Sequence, residues 1–115
     1  MITKIWNNIE LYCGNHEVPV KMTIKDGGLS LFYACPKYYP ENRDEHELAC
    51  VNRINFVDFE KFVNHISSLL EEAENNNSSL NLTNYKWIYK SIEFNIIYHD
   101  EELIKVVMIN KRAIK

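Results

Sequence analysis

Three cysteines and one histidine constrain the fold of this chain more than any other feature. Cys13 and His16 are separated by two residues, a spacing that lets both side chains reach one metal ion. Cys35 and Cys50 follow at longer intervals. Three thiolates and one imidazole complete the tetrahedral shell that zinc prefers in structural sites, which leaves no position for a reactive water. We therefore predict that these four residues bind Zn²⁺ and that the ion supports folding and binding rather than catalysis.

His46 is an alternative fourth ligand, because it lies four residues before Cys50 and the two would share a face on a helical turn. We favour Cys50, since a third thiolate holds zinc more tightly and a shell of Cys and His alone is the common structural type. His46 is then a surface residue or a group that contacts the ligands. The competing interpretation is three unrelated buried cysteines, which are common in protein cores.

The chain carries no sign of export or membrane insertion. Residues 1–8 lack the apolar stretch of a signal peptide. No apolar run approaches the roughly 20 residues that span a bilayer. Cytosolic thiols stay reduced, so three cysteines argue against a disulfide framework. We expect a soluble cytoplasmic protein that does not contact a membrane.

The order of patterns along the chain predicts an α+β fold. Residues 18–25 alternate and run into an Asp-Gly-Gly turn signal, and residues 29–34 form the return strand. The hairpin would bring the first two ligand candidates and Cys35 to the same end. We predict a zinc-ribbon-like β-hairpin module over residues 1–55.

Residues 56–115 are predicted to form an amphipathic helix and an antiparallel β-meander, packed with the first module as one compact unit. Asn55 is the expected N-cap, with the acidic Asp58 three residues on. The helix should run to about Ala73 and then fray, because acidic residues near its end oppose the helix dipole. The predicted apolar face consists of Phe59, Phe62, Val63, Ile66, Leu69, Leu70 and Ala73.

Three strands are expected after the helix. Residues 85–90 alternate between aromatic or apolar and basic side chains, and residues 103–109 are rich in β-branched types. Aromatic rings between lysines are typical of single-stranded nucleic-acid sites. Here we interpret the rings as the core side of an amphipathic strand. The middle strand should place Ile92, Phe94, Ile96 and Tyr98 on one face.

The first half of the chain resembles a GRF-type zinc finger. The resemblance rests on the Cys13 and His16 pair, the hairpin, the Phe32-Tyr33-Ala34-Cys35-Pro36 segment and the downstream Cys50. That family occurs as an appendage of DNA-repair nucleases, glycosylases and topoisomerases, where it binds single-stranded DNA. The resemblance implies that the four Cys and His residues carry the metal and that Phe32 and Tyr33 match the family's aromatic pair.

The chain also departs from the family pattern. Leu29 and Ser30 occupy the places of the family's Gly-Arg, so the arginine that would contact phosphate is absent. The interval between the third and fourth ligands is long and acidic, and residues 51–55 replace the family's last aromatic cluster. The resemblance therefore implies the metal site more strongly than it implies DNA binding.

These patterns predict a non-catalytic binding module for single-stranded nucleic acid or for a protein of nucleic-acid metabolism. Aromatic residues on a loop are harder to explain as core than those on a strand. The predicted contacts are Phe32, Tyr33, Lys37, Tyr38, Tyr39, Arg43 and Arg53. We expect no enzyme, since the sequence has no Gly-rich phosphate loop or nucleophile elbow. His65 is interpreted as a solvated helix residue.

Charge leaves a second function open. The net charge of −3 does not favour a general polyanion binder, which needs clustered Lys and Arg. The alternative is an acidic protein inhibitor or regulator of a nucleic-acid-processing enzyme. Its carboxylates would be Glu41, Asp44, Glu45, Glu47, Glu71, Glu72 and Glu74. A zinc-stabilised dimer without a nucleic-acid role is a third hypothesis.

Overall fold

A computed structural model describes residues 8–26, 28, 31–36, 50 and 52–110. Within these ranges the chain forms one helix and two sheets, which confirms the predicted α+β class. The strands are β1 (Ile9–Cys13), β2 (Val20–Lys21), β3 (Thr23–Asp26), β4 (Leu31–Ala34), β5 (Arg53–Asn55), β6 (Lys86–Tyr89), β7 (Ile92–His99) and β8 (Ile104–Asn110). The helix α1 (Phe56–Asn75) lies between β5 and β6.

The larger sheet has the strand order β2-β1-β8-β7-β6. Strands β6, β7 and β8 form the predicted antiparallel meander. Strand β1 then adds to the meander in parallel with β8, in a register that runs from Ile9 opposite Ile104 to Cys13 opposite Met108. This sheet therefore combines strands from both predicted units, residues 1–55 and residues 56–115. The boundary between these units after residue 55 stays a prediction.

The predicted hairpin is present as β3 and β4, which pair antiparallel and form the smaller sheet with β5. Its turn includes Gly28, which has a φ of 89° and donates its N–H to the carboxylate of Asp26 over 2.8 Å. The expected first strand is divided, however, because β2 belongs to the larger sheet. The N–H of Met22 still bonds to the carbonyl of Leu11, and Thr23 already pairs with Ala34.

Helix α1 begins where the sequence predicts and ends two residues later. The side-chain oxygen of Asn55 accepts the N–H of Asp58 over 2.7 Å, as expected of an N-cap. The end does not fray. Asn77 adopts a left-handed conformation with a φ of 54°, and the N–H of Ser78 bonds to the carbonyl of Ala73. This turn supplies hydrogen-bond donors to carbonyl groups at the end of the helix that would otherwise lack partners.

The core lies between α1 and the larger sheet. Phe62 stacks on Phe94 with the ring centroids 4.4 Å apart. The aromatic residues of β6 pack against this core, as the amphipathic interpretation of residues 85–90 requires. His65 is half-buried rather than solvated, since its ring stacks on Trp87 at 4.5 Å and bonds to the Tyr85 hydroxyl over 2.7 Å.

Tyr98 does not share the core face with Ile92, Phe94 and Ile96. An irregularity in the β7–β8 register between Ile96 and Tyr98 shifts the strand. Tyr98 is consequently 43% exposed, and its ring faces the ammonium group of Lys105 at 5.9 Å. Within the described ranges, no helix has the length and apolar composition needed to cross a membrane.

Candidate metal centre

The four predicted metal ligands meet where the two sheets adjoin. Cys13 ends β1, and His16 lies in the turn that follows. Cys35 comes directly after β4, and Cys50 lies shortly before β5. Their ligand atoms all lie within 4.8 Å of one another, and in the part of the chain that the structure describes this is the one such group of His, Cys, Asp or Glu. The cluster could hold a metal ion.

The spacing of the ligand atoms suits a tetrahedral ion. The Sγ atoms of Cys13 and Cys50 are 3.7 Å apart, and His16 Nε2 lies 3.1 Å from the Sγ of Cys35. With metal–sulfur distances of about 2.3 Å, the edge of a zinc tetrahedron measures about 3.8 Å between two sulfurs. The separation also far exceeds the S–S bond length of about 2.05 Å, so these cysteines are thiols. The longest separation between ligand atoms exceeds this edge by about 1 Å, so the ligand atoms must move by about that distance to bind one ion.

Without a bound cation, the pKa values of the Cys13 and Cys50 thiols shift in opposite directions. A hydrogen bond from the Cys50 thiol lowers the pKa of Cys13 to about 5. The same hydrogen bond raises the pKa of Cys50, and burial raises it further. A divalent cation removes this competition, because its charge stabilises every coordinating thiolate at once. The arrangement of the three buried sulfurs is therefore consistent with a bound metal ion.

Gly14 allows the first ligand to reach the site. A Cβ atom at this position would lie 2.5 Å from the Cγ1 of Val107 and 2.7 Å from the Cγ1 of Ile109. The backbone N–H of Gly14 also donates to the carbonyl of Met108 over 2.8 Å. Only a hydrogen atom fits between β1 and β8 here. The turn that carries His16 is thereby held against β8.

Asn15 fixes the same turn through its side chain. Its Nδ2 donates to the carbonyl of Asn110 over 3.3 Å, and its Oδ1 accepts the N–H of Asn110 over 3.2 Å. This pair of bonds imitates the pairing of two backbones. These two bonds extend the contact between β1 and β8 past Cys13. The segment that precedes His16 is therefore held against β8 by hydrogen bonds.

Asn52 connects the two sheets beside the cluster. Its side chain is fully buried, and Nδ2 lies 3.1 Å from both the Sγ of Cys13 and the carbonyl of Met108. Its own carbonyl accepts the N–H of Cys35 over 3.1 Å. An amide N–H directed at a thiolate stabilises the charged sulfur. Asn52 therefore orients two of the four ligands.

Gly14, Asn15 and Asn52 were not among the residues predicted from the sequence to form the site. Two weak signals were available. Gly and Asn stand inside the interval between Cys13 and His16, where the chain must turn tightly. Asn52 lies two residues after Cys50, and a polar residue next to a buried ligand is a natural hydrogen-bond partner for it.

The predicted contact residues divide between two faces of the smaller sheet. Tyr33 packs against Phe56 and Phe59 of α1, with ring centroids 5.0 and 5.1 Å away. Successive residues of a strand point to opposite faces, so Phe32 faces away from the helix. The Arg53 guanidinium lies 5.7 Å above the Phe32 ring. Lys37, Tyr38, Tyr39 and Arg43, and the alternative ligand His46, lie outside the described residues.

A scan of protein-family models, a search of curated proteins and a search of solved structures each found no match to this chain. The resemblance to a GRF-type zinc finger consequently stays a prediction. Function is therefore inferred from the geometry of the cluster and from the surfaces around it.

Proposed function

We propose that this protein is a non-catalytic zinc-binding module and that it binds single-stranded nucleic acid through the outer face of its smaller sheet. The observation that carries the proposal is the convergence of Cys13, His16, Cys35 and Cys50 within 4.8 Å. Thiolate and imidazole ligands in a tetrahedral arrangement are the donor set of structural zinc. Four protein ligands saturate the ion, which supports a structural rather than a catalytic role.

Zinc has a clear structural task in this fold. Two ligands come from the end of β1 and its turn, which belong to the larger sheet, and two flank the strands of the smaller sheet. An ion at this point would join the sheets directly. Metal binding contributes folding free energy wherever the site forms only in the folded state. We therefore propose that zinc fixes the position of the smaller sheet relative to the larger one.

The outer face of the smaller sheet supports a nucleic-acid contact. Phe32 presents an aromatic ring there, with the guanidinium of Arg53 above it. Lys25 lies directly opposite Phe32 in the β3–β4 register, so its side chain emerges on the same face. Aromatic rings flanked by cations bind single strands, because bases stack on the ring while the cations contact phosphate. Tyr33 is engaged with α1 and is not part of this surface.

Metal content is the first test of the proposal. Elemental mass spectrometry of the purified folded protein should find one zinc per chain. Cys13→Ser and Cys50→Ser should each lose the ion. Metal-free wild-type protein that is still fully folded would refute the zinc site.

Nucleic-acid binding is tested by fluorescence anisotropy with a labelled oligothymidine. Two phosphate contacts predict that the affinity falls about sevenfold between 50 and 200 mM salt. Phe32→Ala should weaken binding about tenfold or more through lost stacking. Arg53→Gln should flatten the salt dependence, whereas Lys61→Gln, the same loss of charge at an exposed position of α1, should leave both values unchanged. Equal effects of Arg53→Gln and Lys61→Gln would refute the proposed face.

The acidic regulator remains the second candidate, and one observation favours it. Glu71, Glu74, Glu101 and Glu102 surround a single cavity at the end of α1. The acidic loop residues 41–47 lie outside the described part of the chain. A protein that fails to bind free nucleic acid, but inhibits a nucleic-acid-processing enzyme in a carboxylate-dependent way, would favour this candidate.

A further inference from the structure

A cavity of about 250 Å³ lies apart from the metal centre. The cavity is bounded on one side by the C-terminal half of α1 and on the other by the turn between β7 and β8. Glu71 and Glu74 line it from the helix, and Asp100, Glu101 and Glu102 line it from the turn. Neither proposed function uses its interior.

The charges that the described residues contribute to this cavity are all negative. Among them, five carboxylates line the cavity and no Lys or Arg does. The hydroxyl of Tyr98 donates to the carboxylate of Asp100, and so do the N–H groups of Glu102 and Leu103; these bonds hold the pKa of the Asp100 carboxyl low. His99 adds no compensating charge at neutral pH, because burial lowers its pKa and its Nδ1 accepts the N–H of Leu82. The C-terminal end of a helix also carries partial negative charge. The cavity therefore favours a cation.

Ser67 is an independent sign of a missing partner. This lining residue is only 6% exposed, and its hydroxyl oxygen makes no hydrogen bond within the described structure. A buried hydroxyl without a partner is costly, and such groups usually meet a bound molecule or an ordered water. The oxygen can accept an N–H from a ligand that enters the cavity.

The remaining lining and the size of the cavity restrict the cation. Leu70, Leu103 and Ile104 supply apolar surface, which an aliphatic chain can cover. Drug-sized ligands occupy roughly 300–1,000 Å³, so this ligand is smaller. In the described chain the carboxylates do not converge as metal ligands do, since the Cys and His cluster is the one group close enough to share an ion. A short amine fits these conditions better than a divalent metal.

We propose that the cavity binds a small aliphatic diamine or polyamine. One ammonium group bonds to Ser67 and to the helix carboxylates of Glu71 and Glu74. The methylene chain lies on the two leucines, and the second ammonium group meets the carboxylates of the β7–β8 turn. This site is independent of the zinc centre and of the nucleic-acid face.

Ligand selectivity of the wild-type protein gives the first test. Isothermal titration calorimetry of the zinc-loaded protein should show saturable one-to-one binding of 1,5-diaminopentane. The neutral 1,5-pentanediol, which has the same length, should bind at least about tenfold more weakly because it lacks charge-assisted hydrogen bonds. Equal binding of diol and diamine, no diamine binding at millimolar concentration, or full competition by Mg²⁺ at matched ionic strength would each overturn the proposal.

Matched variants then locate the ligand. Glu71→Gln and Glu74→Gln should each weaken diamine binding about tenfold. Glu72→Gln removes the same charge from an exposed neighbour that does not line the cavity, and it should change affinity less than about twofold. Ser67→Ala should weaken binding without unfolding α1, since Ala is the better helix former. Equal losses for Glu71→Gln and Glu72→Gln, or an unchanged affinity for Ser67→Ala, would contradict the assigned contacts.

Discussion

The two sheets of this protein are stabilised in different ways. The larger sheet is covered by α1, and its buried rings stack closely, as Phe62 does on Phe94. The smaller sheet has strands of three or four residues, and two of its apolar side chains, Ile24 and Leu31, remain 57% and 46% exposed. Two of the ligand candidates flank this sheet, since Cys35 directly follows β4 and Cys50 shortly precedes β5. Ring packing against α1 therefore stabilises the larger sheet. We propose that the smaller sheet, which contacts α1 through Tyr33, gains a further share of its stability from a metal ion at the cluster.

Removal of zinc should produce the largest difference between the two sheets. After treatment of the protein with a strong chelator, amides of β4 should lose at least about 100-fold of their hydrogen-exchange protection. Amides of Phe94 and Ile96 in β7 should change far less, because Phe94 packs on Phe62 of α1 rather than on a ligand. Hydrogen exchange followed by NMR measures both regions in one sample. Protection should return when zinc is added, and an equal loss in both sheets would show that they unfold as one unit.

A cavity in the large core should have the next largest effect. Phe62→Ala should lower the free energy of unfolding by about 3–5 kcal/mol, because it removes a fully buried ring and leaves a void. Urea denaturation monitored by circular dichroism measures this loss. Val57→Ala, on an exposed position of the same helix, should cost less than about 0.5 kcal/mol. Phe62→Ala protein should still bind one zinc, and loss of the metal in a folded sample would argue against separate sources of stability.

The link between the sheets can be weakened without touching a ligand. Asn52→Ala removes the amide that bonds to Cys13 and to Met108, so zinc affinity should fall about 10–100-fold. A chromophoric chelator in competition with the protein measures the change. Asn64→Ala, at an exposed position of α1, is the control and should leave affinity unchanged. An unaltered affinity in Asn52→Ala would mean that the amide serves packing alone.

The smallest effect concerns pH and the large core. Burial lowers the pKa of His65, so the folded state favours the neutral ring. The stability that the neutral His65 ring contributes is fully present above the unfolded pKa of about 6.5. It is lost as the pH falls toward the folded pKa, because in that range only the unfolded chain takes up the proton. His65→Gln should therefore reduce the decline in stability below that pH, as measured by urea denaturation at several pH values. Identical slopes would contradict the prediction.

The sequence predicted those features that depend on local chemistry. The N-cap at Asn55 requires only a short polar side chain ahead of an apolar period, and the hairpin turn requires only Asp and Gly. The ligand candidates were recognisable because Cys and His are rare side chains with few other uses at such spacing. Each of these signals lies within a few residues of the feature that it specifies.

The features that were missed depend on distant parts of the chain. The parallel pairing of β1 with β8 has no local signal, because the partners are separated by nearly the whole described chain. In the sequence, β2 and β3 look like one continuous strand, because a strand in either sheet requires the same alternation of apolar and polar side chains. Tyr98 was misplaced because a register irregularity reverses the faces of a strand without changing its composition. The role of Asn52 emerges only when Cys13 and Met108 lie beside it.

The parallel pairing of β1 with β8 also sets an order of events during synthesis. The turn that carries His16 is fixed by bonds from Gly14 to Met108 and from Asn15 to Asn110. On the ribosome, those partners emerge long after the ligands themselves. In the proposed zinc-bound fold, a nascent chain would therefore carry three unligated thiols until β8 is available. If the cluster binds zinc as proposed, metal capture is a late event of biosynthesis, and a chain that stalls before β8 exposes its three cysteines to oxidation.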